Sequence, residues 1–592
     1  MPYAILITRE WLAERIEVAA HDHVLRGVLR GLAVGDTGAI STEQWRVFSA
    51  TGTTHLLAIS GLHISMVATL FAWLGGRLTR TSFGQRRRWT RLYGETIGGL
   101  AGAIGYSLLA GLSTPTERTL AMLCVFFVSR ALRRNLGVGH SIGLTLVAVL
   151  LIDPFAPLSV GAWLSFGAVV AIVAAMSGTV VPGGMLATFA RTQWAVTIGM
   201  LPVLALAFGS LSLVSPLANA LAVPLFTIVL VPLTLLGALV ATFSLPLGSL
   251  ILGFAAQLLE WCWPLFDWLS HLGVAVWHFP ALSWPTVAAL GIGAGLALLP
   301  GPRLGRFAGC ALCVPAFLAP ASTLKPGEFS VSMLDVGQGL SLVVRTSAHA
   351  LVYDAGPKFR SGRDTGELVV VPYLHSVGLS ALDLFIASHG DQDHVGGARS
   401  LFEQVRVKAV LAGPSAKGLR PDARLCIQGS EWEWDGVRFR VLSPGAELAE
   451  RDNDSSCVVA VVGSGGTVLL TGDIEKTAET LLLEAPVNLN YLEAGVVTMP
   501  HHGSKTSSTP EFVAATHARY ALASAGYRNR WGFPKPDVTA RWQASGAVTY
   551  CTSESGAVEI DVLVRGIQPP REYRIEHPRY WRARQGVSIR GK

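Results

Sequence analysis

The stretch Leu382-Asp383-Leu384-Phe385-Ile386-Ala387-Ser388-His389-Gly390-Asp391-Gln392-Asp393-His394-Val395-Gly396-Gly397 decides the fold of the second half of this chain. An apolar run of strand length ends in a turn that carries His389, Asp391, Asp393 and His394 within six residues. Imidazoles and carboxylates so crowded can converge on zinc, manganese or iron. A solvated polar turn is the plain alternative, but three more polar clusters each stand beside an apolar strand. Asn453-Asp454-Ser455-Ser456 precedes the run at 457–462, Asp473 ends the string from Val468, and His501-His502 follow the run at 496–498.

Around these clusters the pattern has period two, as in Phe329-Ser330-Val331-Ser332-Met333, with further short strands at 341–344 and 350–353 and Gly-rich turns between them. Upstream the composition changes. From about His55 to Ala321 apolar runs dominate, whereas 325–592 reads as ordinary soluble protein. Over all 592 residues, 51% are hydrophobic and only 15% charged, against about 25% in soluble domains. The expected architecture is a polytopic α-helical membrane bundle at 55–321, preceded by an amphipathic extra-membrane segment at 1–54. A soluble β-rich metal-binding domain follows at 325–570, with a basic tail at 571–592. Seven cysteines are scattered without a disulfide framework, and the Cys310/Cys313 pair lies in an apolar run where it reads as packing. The net charge of +7 fits the Arg/Lys excess of cytoplasmic loops and also a polyanionic ligand.

A span needs about 20 apolar residues, and about ten candidates begin near His55, Thr96, Arg118, His140, Val160, Trp194, Leu217, Leu247, Trp284 and Phe307. Basic residues follow every second one: Arg77, Arg80, Arg86, Arg87, Arg88 and Arg91, then Arg130, Arg133 and Arg134, then Arg191, then Arg303 and Arg306. The positive-inside rule sets these loops in the cytoplasm and sends the C-terminal domain outside. Polar residues within the apolar runs are costly in lipid and are expected to face a cavity or a partner. They are His55, Ser60, Gly61 and His63, then Glu117 and Arg118. His55 and His63, eight apart, fall close to one face of a single helix.

Thr51-Gly52-Thr53-Thr54-His55-Leu56-Leu57-Ala58-Ile59-Ser60-Gly61-Leu62-His63-Ile64 resembles the signature of the competence domain of ComEC-type proteins. So do Ser113–Thr119 (STPTERT), Asp153-Pro154 with Gly161–Phe166, and Ser215–Leu225, in that order. The later clusters resemble the metallo-β-lactamase fold, an αββα sandwich with its ligands on loops at one edge. By position, the resemblance assigns His389 and Asp391 to one metal and Asp393 and His394 to another. Asp473 would bridge them, with His501 completing the second site, and Asp393 and Asp473 would serve the chemistry. Asp335, Asp354 and His502 would orient the ligands. Lys505, Arg528, Arg530 and Lys535 would meet phosphates, and Tyr527 and Trp531 would stack bases.

Three positions depart from the pattern. The fold's middle histidine is replaced by Asn453–Ser456, a terminal His is replaced by Phe533 in Trp531-Gly532-Phe533-Pro534, and Leu340 follows Gly337-Gln338-Gly339 where relatives carry Asp. A carboxylate-rich set of this kind tilts toward Mn2+ over Zn2+, with one or two ions bound. Nothing at 1–50 is long enough for the OB-like module usual in the family, so the module is absent or the chain is truncated. The resemblance implies an inner-membrane channel for single-stranded DNA in natural transformation, whose metal-dependent nuclease domain degrades the other strand. It also implies a DNA receptor outside, an ATP-driven translocase inside, since no P-loop occurs here, and a homo-oligomer. Two alternatives are a membrane-tethered metallohydrolase of another phosphodiester and a DNA channel whose soluble domain binds without cutting.

Overall fold

A computed structural model describes residues 3–79, 90–134, 136–177, 184–299, 302–318, 323–448 and 452–579. Arg80, Arg86, Arg87 and Arg88, Ala321, and tail residues 580–592 lie outside them. The chain forms two compact units, Met1–Leu318 and Ala319–Lys592.

The first unit is helical. Among the described residues, Thr54–Leu78, Leu186–Ala207, Ser215–Phe243 and Leu245–Ser270 are long and apolar enough to cross a membrane, and Val138–Ile152, Val160–Met176 and Trp284–Leu298 are shorter apolar helices. The rods that meet most closely do so through glycine. A β-carbon on Gly75 would lie 2.1 Å from the Gly94 carbonyl oxygen, and one on Gly98 would lie 2.2 Å from that of Phe71. Small residues at four-residue spacing let two backbones touch where lipid supplies no hydrophobic drive.

Residues 1–54 are not a separate amphipathic segment. They form the helices Tyr3–Ala19, Arg26–Val34 and Thr42–Ala50. Ile16, Val28, Leu29, Leu32 and Phe48 enter one core with Phe226, Leu252 and Phe266. Five of those residues are apolar groups that would otherwise face water, and their burial fixes the segment to the unit.

The helix expected to hold both His55 and His63 is broken. A single 3-10 turn covers Thr54–Leu56, the chain then extends, and Ser60 starts the next helix by bonding the His63 backbone N–H at 3.4 Å in a capping box. A cap satisfies the open donors of a helix start and so defines one. His55 is exposed and bonds the Gly52 carbonyl, while His63 is buried.

The second unit is a sandwich of two mixed sheets. The first contains β1 (Phe329–Met333), β2 (Leu342–Arg345), β3 (Ala350–Tyr353), β4 (Ala381–Ala387), β5 (Arg406–Ala412) and β6 (Arg424–Leu425). Its β1 edge is extended by Val558–Leu563, Gly566–Ile567 and Arg571–Glu572. The segment read as a basic tail therefore begins with a paired strand. The second sheet contains Glu431–Trp434, Val437–Ser443, Val458–Gly463, Gly466–Leu470, Val496–Thr498, Tyr520–Ala523 and Val548–Cys551, adjacent in that order.

Period-two alternation sends Phe329, Val331, Leu351, Phe439, Val459 and Val468 into the space between the sheets. Helices cover both outer faces. Phe385, Leu374 and Leu401 pack on one side, and Leu482, Phe512 and Trp542 on the other. The order is thus αββα. Cys426 and Cys457 are joined by a disulfide across 31 positions, a correction to the reading of the cysteines as unpaired. Their spacing gives no sign of it, because the two are brought together only by tertiary folding, Cys426 following Arg424–Leu425 of the first sheet and Cys457 preceding Val458–Gly463 of the second. Cys310 and Cys313 are free thiols, and Cys313 is packed beneath Leu290.

Candidate metal centre

Strands β3 and β4 run parallel, as do Gly466–Leu470, Val496–Thr498 and Tyr520–Ala523. Their carboxyl ends open at one rim of the sandwich, where loops of an α/β layer gather ligands. β3 delivers Asp354, β4 delivers Ser388 to His394, the Gly466–Leu470 strand delivers Asp473, and Val496–Thr498 delivers His501 and His502.

These loops bring two overlapping groups together: His389, His394 and Asp473, and Asp393, His394 and His502, with the candidate ligand atoms of each group within 4.8 Å of one another. His394 Nε2 lies 3.2 Å from Asp473 Oδ2, and His502 Nε2 lies 3.4 Å from the same oxygen and 3.5 Å from Asp393 Oδ2. Asp391 stands at the edge, 3.6 Å from His389 and about half exposed. His501 is farther out. Its Nε2 is 3.9 Å from Asp473, and its Nδ1 is 3.0 Å from the Glu475 carboxylate. The sequence offered His501 and His502 side by side, and the backbone separates them. Both residues hold positive φ, 50° and 55°, a conformation uncommon for side-chain-bearing residues. It points His502 inward and leaves His501 to Glu475.

Each inward imidazole is held from behind. His394 Nδ1 bonds Asp354 Oδ2 at 2.7 Å, His389 Nδ1 lies 3.0 Å from Ser388 Oγ, and His502 Nδ1 lies 2.9 Å from the Ser524 carbonyl. Asp354 is fully buried and also accepts from the Ser388 backbone N–H at 2.7 Å and its hydroxyl at 2.6 Å. The other face of each ring is left over. His389 Nε2, His394 Nε2, His502 Nε2 and Asp473 Oδ1 are all buried without a hydrogen-bond partner. Buried polar atoms left unpaired cost about 1–3 kcal/mol each. Four converging on one space could hold a cation, and three imidazoles with carboxylates are a donor set for zinc or manganese.

The electrostatics agree. Burial opposes charge on Asp473, but His394 and His502 hold its carboxyl well below the usual range. Burial likewise opposes protonation of His394, and Asp473 and Asp354 outweigh it and push its pKa well up. Asp393 also stays below the ordinary value, since His502 and His394 overcome its burial.

The turn that replaces the middle histidine has a bracing role. Ser456 Oγ accepts from the Asp473 backbone N–H at 3.1 Å, and Asp454 Oδ1 accepts from Glu475 and Ala478 N–H groups at 2.9 and 3.2 Å. Gly472 has φ +57°, and a β-carbon there would strike Ser456 at 2.9 Å and Ser388 at 3.0 Å. Only glycine lets the Asp473 loop lie this close. Sequence reasoning did not foresee Ser388, Ser456, Glu475 or Gly472 in these roles. Their signal was their position beside each ligand.

Asp335 is placed elsewhere, paired with Arg574 and accepting from Gly337 N–H. On the rim, Phe533 stacks near His502 with centroids 6.4 Å apart, and Trp531 stacks on Phe533 at 6.4 Å. Arg530 lies 4.1 Å above Trp531, Arg528 lies 5.3 Å above Tyr527, and Lys535 lies 5.5 Å above Phe533. Lys505 pairs loosely with Asp537 at 3.8 Å.

In the helical unit, Arg118 is buried and donates to the Gly161 carbonyl at 3.0 Å, with its Nε and Nη1 unpartnered. His63 Nε2 and Asn219 Oδ1 are likewise buried without a partner. Glu117 is exposed in the first turn of its helix, and Gly61 admits Thr119, whose hydroxyl would lie 2.8 Å from a β-carbon there.

A family model described as competence protein matches residues 32–303, and one described as metallo-beta-lactamase superfamily matches 334–526. Competence protein ComA of Neisseria gonorrhoeae is 37% identical over 95% of this chain and 78% of its own length. Recombination protein 2 of Haemophilus influenzae is 29% identical over 91% of this chain and 72% of its own. Among solved structures, Igni18, a metallo hydrolase from Ignicoccus hospitalis, aligns with 39% of this chain and 98% of its own at 12% identity and TM-score 0.28.

Proposed function

This chain belongs to the competence-protein family and carries a metallo-β-lactamase-superfamily domain, and from that premise we propose that it is a channel importing single-stranded DNA whose soluble domain hydrolyses the strand left behind. The observation that carries the proposal is the convergence of four unpartnered buried ligand atoms in a chain that also holds unpartnered polar groups inside an apolar helical unit. His63, Arg118 and Asn219 are costly in lipid unless they meet water or a polar passenger, and a hydrated path for a nucleic acid strand supplies both.

In the soluble domain His389, His394, His502, Asp393 and Asp473 would hold one or two divalent ions, Mn2+ or Zn2+, with Asp391 at the open edge. When bound, such ions activate water and neutralise charge on a phosphodiester. The protein's own work is arrangement. Asp354, Ser388 and the Ser524 carbonyl fix the ring orientations, and Asp393, exposed on its outer side, is the carboxylate placed to take up a proton. The Trp531–Phe533 stack with Arg528, Arg530 and Lys535 offers aromatic faces and positive charge leading to the rim, a pairing suited to single strands.

The basic loops favour the outside of the cytoplasmic membrane for this domain. The Cys426–Cys457 disulfide supports the same side, since such bonds persist in oxidising compartments. A receptor outside and an ATP-driven translocase inside would complete the machine.

The test is metal-dependent cleavage of a single-stranded oligonucleotide by the purified full chain, beside D473A. Cleavage by the wild type that D473A and chelator abolish supports the assignment. Metal and DNA binding with no cleavage favours the binding-only reading, for which Phe533, unable to bind metal or move a proton beside His502, is the specific observation.

A further inference from the structure

The Gly184–Ala207 helix packs closely on its neighbours at Gly199, where a β-carbon would stand 2.5 Å from that of Ala171 and 3.1 Å from Leu298 Cδ1. Between Val160–Met176, Gly184–Ala207, Trp284–Leu298 and Arg303–Cys313 lies a cavity of about 410 Å³, lined by Ala175, Arg191, Trp194, Ala297, Leu298 and Arg306. Its wall is mostly apolar, yet Arg191 and Arg306 line it from separate helices, and among the described residues no carboxylate does. Among the described residues neither Arg191 nor Arg306 makes an ion pair or hydrogen bond.

Two forked cations over an apolar wedge match one chemistry. A phosphodiester headgroup satisfies the arginines, whose planar forks suit phosphate oxygens. Acyl chains below it would cover Ala175, Ala297 and Leu298, beside the partly exposed Trp194 indole. Basic pockets between spans on the cytoplasmic side are where acidic lipid headgroups bind. We propose that this cavity is a binding site for an anionic phospholipid of the leaflet facing the basic loops. A nucleic acid phosphate would meet the two charges but leave the apolar wall bare. The site is separate from the metal centre and does not depend on hydrolysis.

The test is native mass spectrometry of the purified full chain in detergent with equal phosphatidylglycerol and phosphatidylcholine. The wild type should retain phosphatidylglycerol in preference by roughly thirtyfold, given about 1 kcal/mol of attraction for each of two arginines. R191Q/R306Q should bring the ratio near one, and R191K/R306K should keep most of it. A297F, which fills the cavity and leaves both charges, should release the lipid. Retention of the preference by R191Q/R306Q overturns the proposal, as does displacement of phosphatidylglycerol by excess inorganic phosphate. Should R191Q/R306Q instead lose a single-stranded oligonucleotide while its lipid ratio is unchanged, the cavity is a nucleic acid site and the proposal fails.

Discussion

Replacing Asp354 by Asn changes one atom in the support of the metal centre and tests whether that support sets metal affinity. The carboxylate takes the Ser388 backbone N–H on Oδ1 at 2.7 Å, and the Ser388 hydroxyl and His394 Nδ1 on Oδ2 at 2.6 and 2.7 Å. An Asn side chain of the same shape keeps its oxygen on the backbone N–H and presents an NH2 group to His394. Nδ1 must then accept, so the ring proton moves to Nε2, the atom that faces Asp473 at 3.2 Å and would bind the ion. Loss of an orienting partner of this kind lowers metal affinity about 10–100-fold, or about 1.4–2.8 kcal/mol. Isothermal titration of the full chain with Mn2+ and Zn2+ measures it directly. A thermal melt with and without chelator should show the metal-dependent part of the stability shrinking while the metal-free melting point moves little. Unchanged affinity in Asp354→Asn would refute the orientation argument, and so would an equal fall in metal-free and metal-bound stability.

Four further outcomes are expected. Asp473→Asn replaces the carboxylate whose Oδ2 lies 3.2 Å from His394 and 3.4 Å from His502, and should abolish metal-dependent hydrolysis without changing the circular dichroism of the chain. Asp435 bonds Thr346, the Ala348 N–H and His349, which outweigh its burial and hold its pKa at about 2 against 3.8. Its carboxylate therefore contributes stability above about pH 4 that is lost as pH falls through 2, at most roughly 2 kcal/mol, and melts from pH 5 to 2 should flatten in Asp435→Asn. Replacing Cys426 and Cys457 by Ser frees a loop of 31 positions, and the chain-entropy model puts the loss at roughly 3–4 kcal/mol, read by denaturant titration against the disulfide-bonded wild type. Gly94→Leu would press a side chain onto the Gly75 carbonyl, 2.5 Å from the β-carbon, and should lower the detergent melting temperature and abolish DNA uptake, whereas leucine at Gly105, which has no neighbour within 4 Å, should be tolerated.

The apolar runs were legible because a bilayer imposes one requirement, length and hydropathy in a continuous stretch, and this is a property of sequence. The break between His55 and His63 was not, since Ser60 and His63 cap a helix only through their mutual geometry. The 1–54 segment read as peripheral because its amphipathic pattern does not say what its apolar side meets. The answer is Phe226, Leu252 and Phe266, all distant in sequence.

In the second unit, a polar turn beside an apolar strand could be read four times over, because alternation and ligand chemistry are local. Sequence by itself therefore determined the class of both halves and the turns that carry the ligands. Which atoms face the metal was decided by tertiary structure alone. Left-handed backbone at His501 and His502 turns one ring inward and the other toward Glu475. Ser388, Ser524 and Asp354 choose the ring nitrogens, and the Cys426–Cys457 link ties strands from the two sheets. Adjacent histidines have the same chemistry in one dimension. They differ only once long-range packing gives each a separate partner.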